Sequence, residues 1–294
     1  MADIQVRREG DLAQLTALVR GATIIDLSVL NSEELPSSWP TVTPYHAVNV
    51  NWYTDWRGPF FTRLLVIEEH TGTHCDAPAH FIPDPKYGLP HSTEFGGITV
   101  DKLDLARFMG PALVIDATQL TGTGEPGLSP IISRELIEGW EAENGTITAG
   151  DVVLLRTDWT DRHYRKLPEG STFAYDPIIA KNVAAWPAPD ADAMSYLVDK
   201  GVKCVGIDNS SMGPLQADPE PHWAGLGRGA VFVERMTNLG LLPTRGAFFM
   251  FLPIKIEGGS GAPGRAIGIV PNVEGPLMKM GYAENEEPET FLTV

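Results

Sequence analysis

An α/β fold is predicted by three features of this 294-residue chain. Ala188 to Lys200 has helical periodicity, stops at Gly201 and leads through a short turn into the apolar run Lys203-Cys-Val-Gly-Ile-Asp208, the helix-turn-strand rhythm of such folds. Further apolar runs at Ala112–Asp116, Asp151–Arg156, Ala230–Glu234, Ala247–Leu252 and Ala266–Val270 are too short for helices and read as buried strands. The chain shows no internal repeat and no shift in composition that marks a linker. Its 43% hydrophobic content is enough for a sizeable core, so one domain is expected over residues 23–271.

In chain order, residues 1–22 read as an N-terminal extension. It holds a short helix at Asp11–Arg20, with Leu12, Leu15 and Val19 on one face and Gly21 as its stop. Thr23–Ser28 reads as a first strand. Residues 31–60 are expected to be irregular, and they are dense in rings and prolines. Two readings of those rings stand: they cover a core or a subunit interface, or they line a substrate pocket where Trp52, Phe60 and Phe61 stack on an aryl group. Phe61–Glu68 is expected to be a strand feeding the stretch that follows it. Ser133 caps a helix over Arg134–Glu143, and Asn144-Gly145 ends it. Asp176-Pro177 starts a short helix, and Asp218–Trp223 reads as a loop stiffened by prolines. Residues 272–294 are acidic without periodicity and read as a tail.

The chemistry concentrates in Glu69-His-Thr-Gly-Thr-His-Cys-Asp-Ala-Pro-Ala-His80. His70, His74 and Asp76 are ligand types that hold zinc or manganese. They share even parity with His80, and an extended chain sends alternate side chains to one face. Thr71, Gly72, Thr73 and Pro78 argue against a helix, and there is no His-Glu-x-x-His. Cys75 has the opposite parity and reads as a small buried residue. His46, His91 and His163 have no neighbour at ligand spacing and read as surface loop residues. Glu234 ends an apolar run, where a carboxylate must be paired, with Arg228 or Arg235, or bound to metal. Arg156, Asp158 and Asp208 follow strand ends and read either as site wall or as structural pairing and turn residues.

His70-x-Gly72-Thr73-His74-x-Asp76-x-Pro78-x-His80 matches in full the signature of the metal-dependent cyclase family, and the chain resembles that family from about Ile24 to about Pro271. The resemblance implies a swivelling β/β/α-type single domain with a mixed central β-sheet, usually as a homodimer or homotetramer. It implies metal ligation by His70, His74 and Asp76 and an acid/base role for His80. His222 and Glu234 resemble the pair that completes a second metal position in the kynurenine formamidase branch. Gly58-Pro59-Phe60-Phe61 and Arg156–Trp159 resemble the single-metal isatin hydrolase branch. One or two ions per chain, Mn²⁺ or Zn²⁺, are therefore implied.

Three ligands leave coordination positions open, which suits a catalytic site: water there attacks a carbonyl while His80 moves the proton. The resulting expectation is a metal-dependent hydrolase of a C–N amide bond in or on a small aromatic compound, either an isatin-type cyclic amide or an N-formylkynurenine-type formamide. A lactone hydrolase or cyclase/dehydratase on the same metal, and a non-catalytic metal-dependent binding protein, are the alternatives. Net charge of −16 disfavours nucleic acid and anionic membranes as partners. Two cysteines give no disulfide framework. No run reaches the ~20 apolar residues of a membrane span, and Met1–Gly10 lacks the apolar core of a signal peptide, so a cytoplasmic protein is expected.

Overall fold

The computed structural model describes residues 9–271. The tail expected over 272–294 lies outside the described residues, as does the start of the N-terminal extension. Helix α1 spans Glu9–Gly21. Its Leu12, Leu15 and Val19 are exposed, and among the described residues no other element packs closely on it.

Strand β1 (Thr23–Asp26) forms as expected. Residues 31–60 are not irregular throughout: β2 (His46–Thr54) and β3 (Gly58–Val66) make an antiparallel hairpin. Rings and β-branched residues occupy both faces of these strands, so the alternation that announces a half-buried strand is missing. Gly58 at φ +115 turns the chain back, and the Asn51 amide donates to the Gly58 carbonyl at 3.0 Å and to the Phe60 carbonyl at 2.6 Å. The expected Phe61–Glu68 strand is thus the return arm of a hairpin, and it ends before the histidine-rich stretch begins.

The main sheet takes β4 (His74–Asp76), β5 (Met109–Asp116), β7 (Val152–Arg156), β9 (Cys204–Ile207), β10 (Val231–Glu234), β11 (Ala247–Pro253) and β12 (Gly261–Val270), with β1. A separate small ladder joins β6 (Ile131–Ile132) to β8 (Ala188–Pro189). The order in the eight-stranded sheet is β1-β12-β11-β5-β7-β9-β10-β4. Strand β4 pairs with both β10 and β12, which closes the sheet on itself and leaves β1 outside the ring. The β5-β7-β9-β10 segment is parallel and the remaining pairs are antiparallel, so the central sheet is mixed as expected.

The apolar runs read as strands because both of their faces are buried. Val114, Val152, Leu154, Val231 and Val233 point into one core with Cys75 and Phe251. Their alternates Leu113, Ile115, Val153, Leu155 and Phe232 point into a second core. That second core is covered by α2 (Arg134–Asn144), α4 (Ala191–Asp199) and α5 (Pro219–Leu226). The Ser133 hydroxyl accepts from Leu136 N, and Gly145 at φ +92 ends α2, as its cap residues require. Two boundaries differ from the sequence reading. Helix α4 begins only after Asp190, which caps it, because Ala188-Pro189 is spent as a strand. The stretch 218–223 is not a loop: Pro219 and Pro221 sit in the first turn of α5, where a missing N–H costs nothing.

Candidate metal centre

The histidine-rich stretch is extended only at β4. Residues 68–73 form a turn, with Gly72 at φ +63 packed so tightly that a Cβ there would lie 2.0 Å from Asn31 Oδ1. This turn swings His70 back over the strand. Beyond β4 a short 3₁₀ turn, Pro78–His80, brings His80 to the same side. Strand β10 lies beside β4 with Glu234 opposite His74, and α5 delivers His222. On the other side of β4, Gly261 faces Asp76, where a Cβ would meet His70 Nε2 at 2.5 Å.

Six of the expected residues therefore converge. His70 Nε2 and His74 Nε2 each lie 3.6 Å from Asp76 Oδ1. His74 Nε2 is 3.5 Å from Glu234 Oε2, and His222 Nε2 is 3.4 Å from Glu234 Oε1 and 3.8 Å from Asp76 Oδ2. His80 stacks on His70 with ring centroids 4.0 Å apart. Two ligand triplets share Asp76: His70, Asp76 and His80, and His74, Asp76 and Glu234.

Each inner histidine is oriented from behind. Glu68 Oε1 is 2.7 Å from His70 Nδ1, the Gly72 carbonyl 2.8 Å from His74 Nδ1, and the Asp218 carbonyl 2.6 Å from His222 Nδ1. Acceptors at all three Nδ1 atoms favour Nδ1–H and leave each Nε2 lone pair aimed at the cluster. Both carboxylate oxygens of Asp76 and Nε2 of His70 are buried with no hydrogen-bond partner among the described residues. Orphaned acceptors are costly at this depth, and a cation among nitrogen and oxygen donors is the group that would satisfy them. The donor set thus fits a divalent metal.

The electrostatics agree. Burial, then the Glu234 carboxylate beside it, pushes Asp76 up to about 6. Burial opposes ionisation of Glu234 too, but hydrogen bonds with His222 and His74 hold it below the usual carboxylate range. Burial would lower His222, yet Glu234, Asp218 and Asp76 raise it to about 9. Without a cation, a protonated His222 would be the positive charge beside these carboxylates; a bound cation would take that place and need the ring neutral. His80 goes the other way: enclosure by the pocket walls, then the neighbouring His70 and His222, push it down to about 3, which leaves a neutral base. Its ring still opens to the pocket, since the residue is exposed.

The cluster floors a pocket of about 310 Å³ walled by Trp39, Val42, Phe81, Ser210, Ser211 and Arg235. Trp52, Phe60 and Phe61 are not among its lining residues: they lie exposed on the β2–β3 hairpin, whose strands, among the described residues, pack closely on each other alone. Trp39 and Phe81 supply aromatic walls instead, Phe81 stacking on His222 at 4.0 Å. Arg156 grips Asp158 with Nε and Nη2, at 2.7 and 3.0 Å, away from the pocket lining. The Asp208 carboxylate accepts from Thr157 and from the Asp158 backbone, so both follow the structural reading. Arg228 pairs with Asp199, not with Glu234. His91 stacks on Trp223, exposed His46 pairs with Glu33, and His163 is half-buried against Trp159. Cys75 is buried and free, as its parity predicts. The orienting role of Glu68 and the lining role of Arg235 had no signal in spacing.

Fold and site define a class: a mixed α/β hydrolytic enzyme built around a buried cluster of metal-ligand side chains. Residues 25–214 match the family described as "Putative cyclase", and the chain belongs to that family. It is 35% identical over 246 residues to the isatin hydrolase of Roseibium aggregatum, covering 81% of this chain and 86% of that protein. It is 25% identical over 243 residues to the kynurenine formamidase of Bacillus mycoides, covering 83% and 95%. Isatin hydrolase A from Ralstonia solanacearum superposes with a TM-score of 0.74 at 29% identity, over 90% of this chain and 99% of that one. Among the described residues no helix is long and apolar enough to cross a membrane.

Proposed function

We propose that the protein hydrolyses a C–N amide bond in or on a small aromatic compound, using a divalent cation held by His70, His74, Asp76, His222 and Glu234. The observation that carries this reading is the set of unpartnered buried ligand atoms at the floor of a pocket, with His80 on its wall. The relatives named isatin hydrolase and kynurenine formamidase support the amide as substrate. His70 and His74 beside Oδ1 of Asp76, with His222 beside Oδ2, support up to two ions, and mixed nitrogen and oxygen donors suit Mn²⁺ or Zn²⁺.

When bound, the cation supplies Lewis acidity, which acidifies water and steadies the charge that develops on the carbonyl oxygen. The protein does the rest. Glu68 and the Gly72 and Asp218 carbonyls hold the three inner rings in place. Trp39 and Phe81 bound a space suited to an aryl group. An imidazole nitrogen of neutral His80 takes the proton from the attacking water and returns it to the leaving nitrogen. The products are a carboxylate and an amine. The exposed apolar hairpin supports a homo-oligomer.

Protein loaded with Mn²⁺ or Zn²⁺ is to be incubated with isatin, N-formylkynurenine, aryl lactones and cyclic imides, and the products followed by mass spectrometry. An amide substrate should gain one water. Chelation verified by elemental analysis should abolish this, and the same metal should restore it. Full turnover in verified metal-free protein, or turnover of lactones alone, would overturn the proposal.

A further inference from the structure

Arg235 is 1% exposed, lines the metal pocket and follows the candidate ligand Glu234. Among the described residues no carboxylate lies within ion-pairing distance of it. Its guanidinium makes one hydrogen bond, from Nη1 to the Ser37 carbonyl at 2.8 Å. Nε is buried without an acceptor, and Nη2 has none either. The ring of Phe173 lies 5.8 Å below.

Burying a cation with most of its donors idle is costly unless something completes it. Three other arginines show what completion by a carboxylate looks like, whereas Arg245, whose Nε is also unpartnered, is held by the Gly145 and Thr146 carbonyls. Arg156 uses its Nε/Nη2 edge to hold both oxygens of Asp158, and Arg134 and Arg228 each have a carboxylate. In Arg235 that same Nε/Nη2 edge is idle, and its planar fork matches a carboxylate in two-point contact. The backbone adds to the case. Arg235 sits at φ +54, a conformation unfavourable for a residue with a Cβ and typical of sites where the surrounding structure holds a group in place for use. Its N–H donates to the Asn209 carbonyl at 3.0 Å, and the Arg235 carbonyl accepts from Thr73 Oγ1 at 2.6 Å, which fixes the segment. Of the carboxylates nearest in the field, Glu234 and Glu68 lie against His222 and His70, and Asp76 sits in the ligand cluster 3.6 Å from His74. A cation in the cluster would engage them further, leaving the charge of Arg235, a residue of the pocket wall, without a carboxylate of its own.

We propose that the Arg235 guanidinium binds a carboxylate on the substrate, so that this site takes aromatic amides bearing a carboxylate. The inference rests on the amide-hydrolase reading above. Binding at Arg235 orients the aryl group between Trp39 and Phe81 and sets the scissile carbonyl toward His80.

The test uses a matched pair, 2-formamidobenzoate and 2-formamidobenzamide, with metal-loaded wild type, Arg235→Met and Arg235→Lys. Wild type should show a KM for the benzoate lower by roughly 10- to 100-fold, the range for a charge-assisted contact. Arg235→Met should bring the two KM values together, with a larger loss of kcat/KM on the benzoate than on the benzamide. Arg235→Lys keeps the charge but loses the fork, so it should retain part of the preference. Both substitutions keep a Cβ at the same φ, so backbone strain is unchanged. Should Arg235→Met fail to fold, Arg235→Lys carries the test through a selective loss on the benzoate. Equal KM values in wild type, or an equal loss on both substrates in the variants, would overturn the proposal. Calorimetric titration with benzoate and benzamide reads binding without turnover. A benzoate preference that Arg235→Met removes would uphold the carboxylate site even where no amide is hydrolysed, and that outcome would sink only the hydrolase reading. Equal affinities would sink the carboxylate site.

Discussion

Glu234 stands directly across the β10–β4 ladder from His74, with Oε2 3.5 Å from the His74 Nε2 atom. The register of two short strands thus places a carboxylate from residue 234 in a cluster begun at residue 70. Its other oxygen, Oε1, lies 3.4 Å from His222 and accepts from the Met212 backbone at 2.6 Å. Glu234→Gln should keep the shape and lose the charge. Elemental analysis at saturating metal is expected to show up to two ions per chain in wild type and one fewer in the variant. A wild type that never exceeds one ion would place Glu234 outside the coordination of a second metal.

His80 stacks on His70, and among the described residues no carboxylate or carbonyl hydrogen-bonds either of its ring nitrogens. His80→Ala should retain metal and lose roughly 10²–10⁴-fold in kcat, the range for a missing general acid/base. Loss of a stoichiometric ion in this variant would make His80 a ligand, as its grouping with His70 and Asp76 allows.

Gly261 is the close approach that seats His70. An alanine Cβ would lie 2.5 Å from His70 Nε2 and 2.6 Å from the Cys75 carbonyl, so the ring or the strand must shift. Gly261→Ala should weaken metal binding and lower stability by about 1–3 kcal/mol, the cost of overpacking. Unchanged metal affinity measured by competition with a chelator would show that His70 is not held there.

Asp208 is fully buried, and burial pushes its carboxyl up to about 7 despite its hydrogen bonds with Thr157 and Asp158. A carboxyl whose folded pKa lies above its unfolded value binds its proton more tightly when folded. Its contribution to stability is therefore full below the unfolded value of 3.8 and is lost as pH rises through about 7. Denaturant unfolding of wild type and Asp208→Asn from about pH 4 to about pH 8 should show the variant gaining relative to wild type as pH rises. A difference between the two that is constant with pH would remove Asp208 as the titrating group.

Much of the strand inventory was legible in the sequence, because runs such as Val152–Arg156 and Val231–Glu234 have apolar residues facing two cores at once. Helices α2 and α4 were legible through Ser133, Gly145 and Gly201. The first arm of the hairpin, β2, was not, because its rings and valines lie on both faces and remain exposed, so no period marks it. Helix α5 was hidden by two prolines that read as breakers until their place in the first turn is known.

At the site, the sequence by itself determined the ligand types and the core of the cluster. His70, His74, Asp76 and His80 lie within one stretch, where covalent proximity guarantees that their side chains can meet. Tertiary structure decided everything that comes from far along the chain. His222 and Glu234 join through the packing of α5 and the register of β10 on β4. Trp39 and Phe81 replace Trp52, Phe60 and Phe61 at the pocket because hydrogen bonding pairs β2 with β3 and carries their rings out to the surface. Arg235 resembles any charged residue after a strand until its burial without a carboxylate is seen. That lack of a partner depends on what surrounds it in space, which local sequence does not encode.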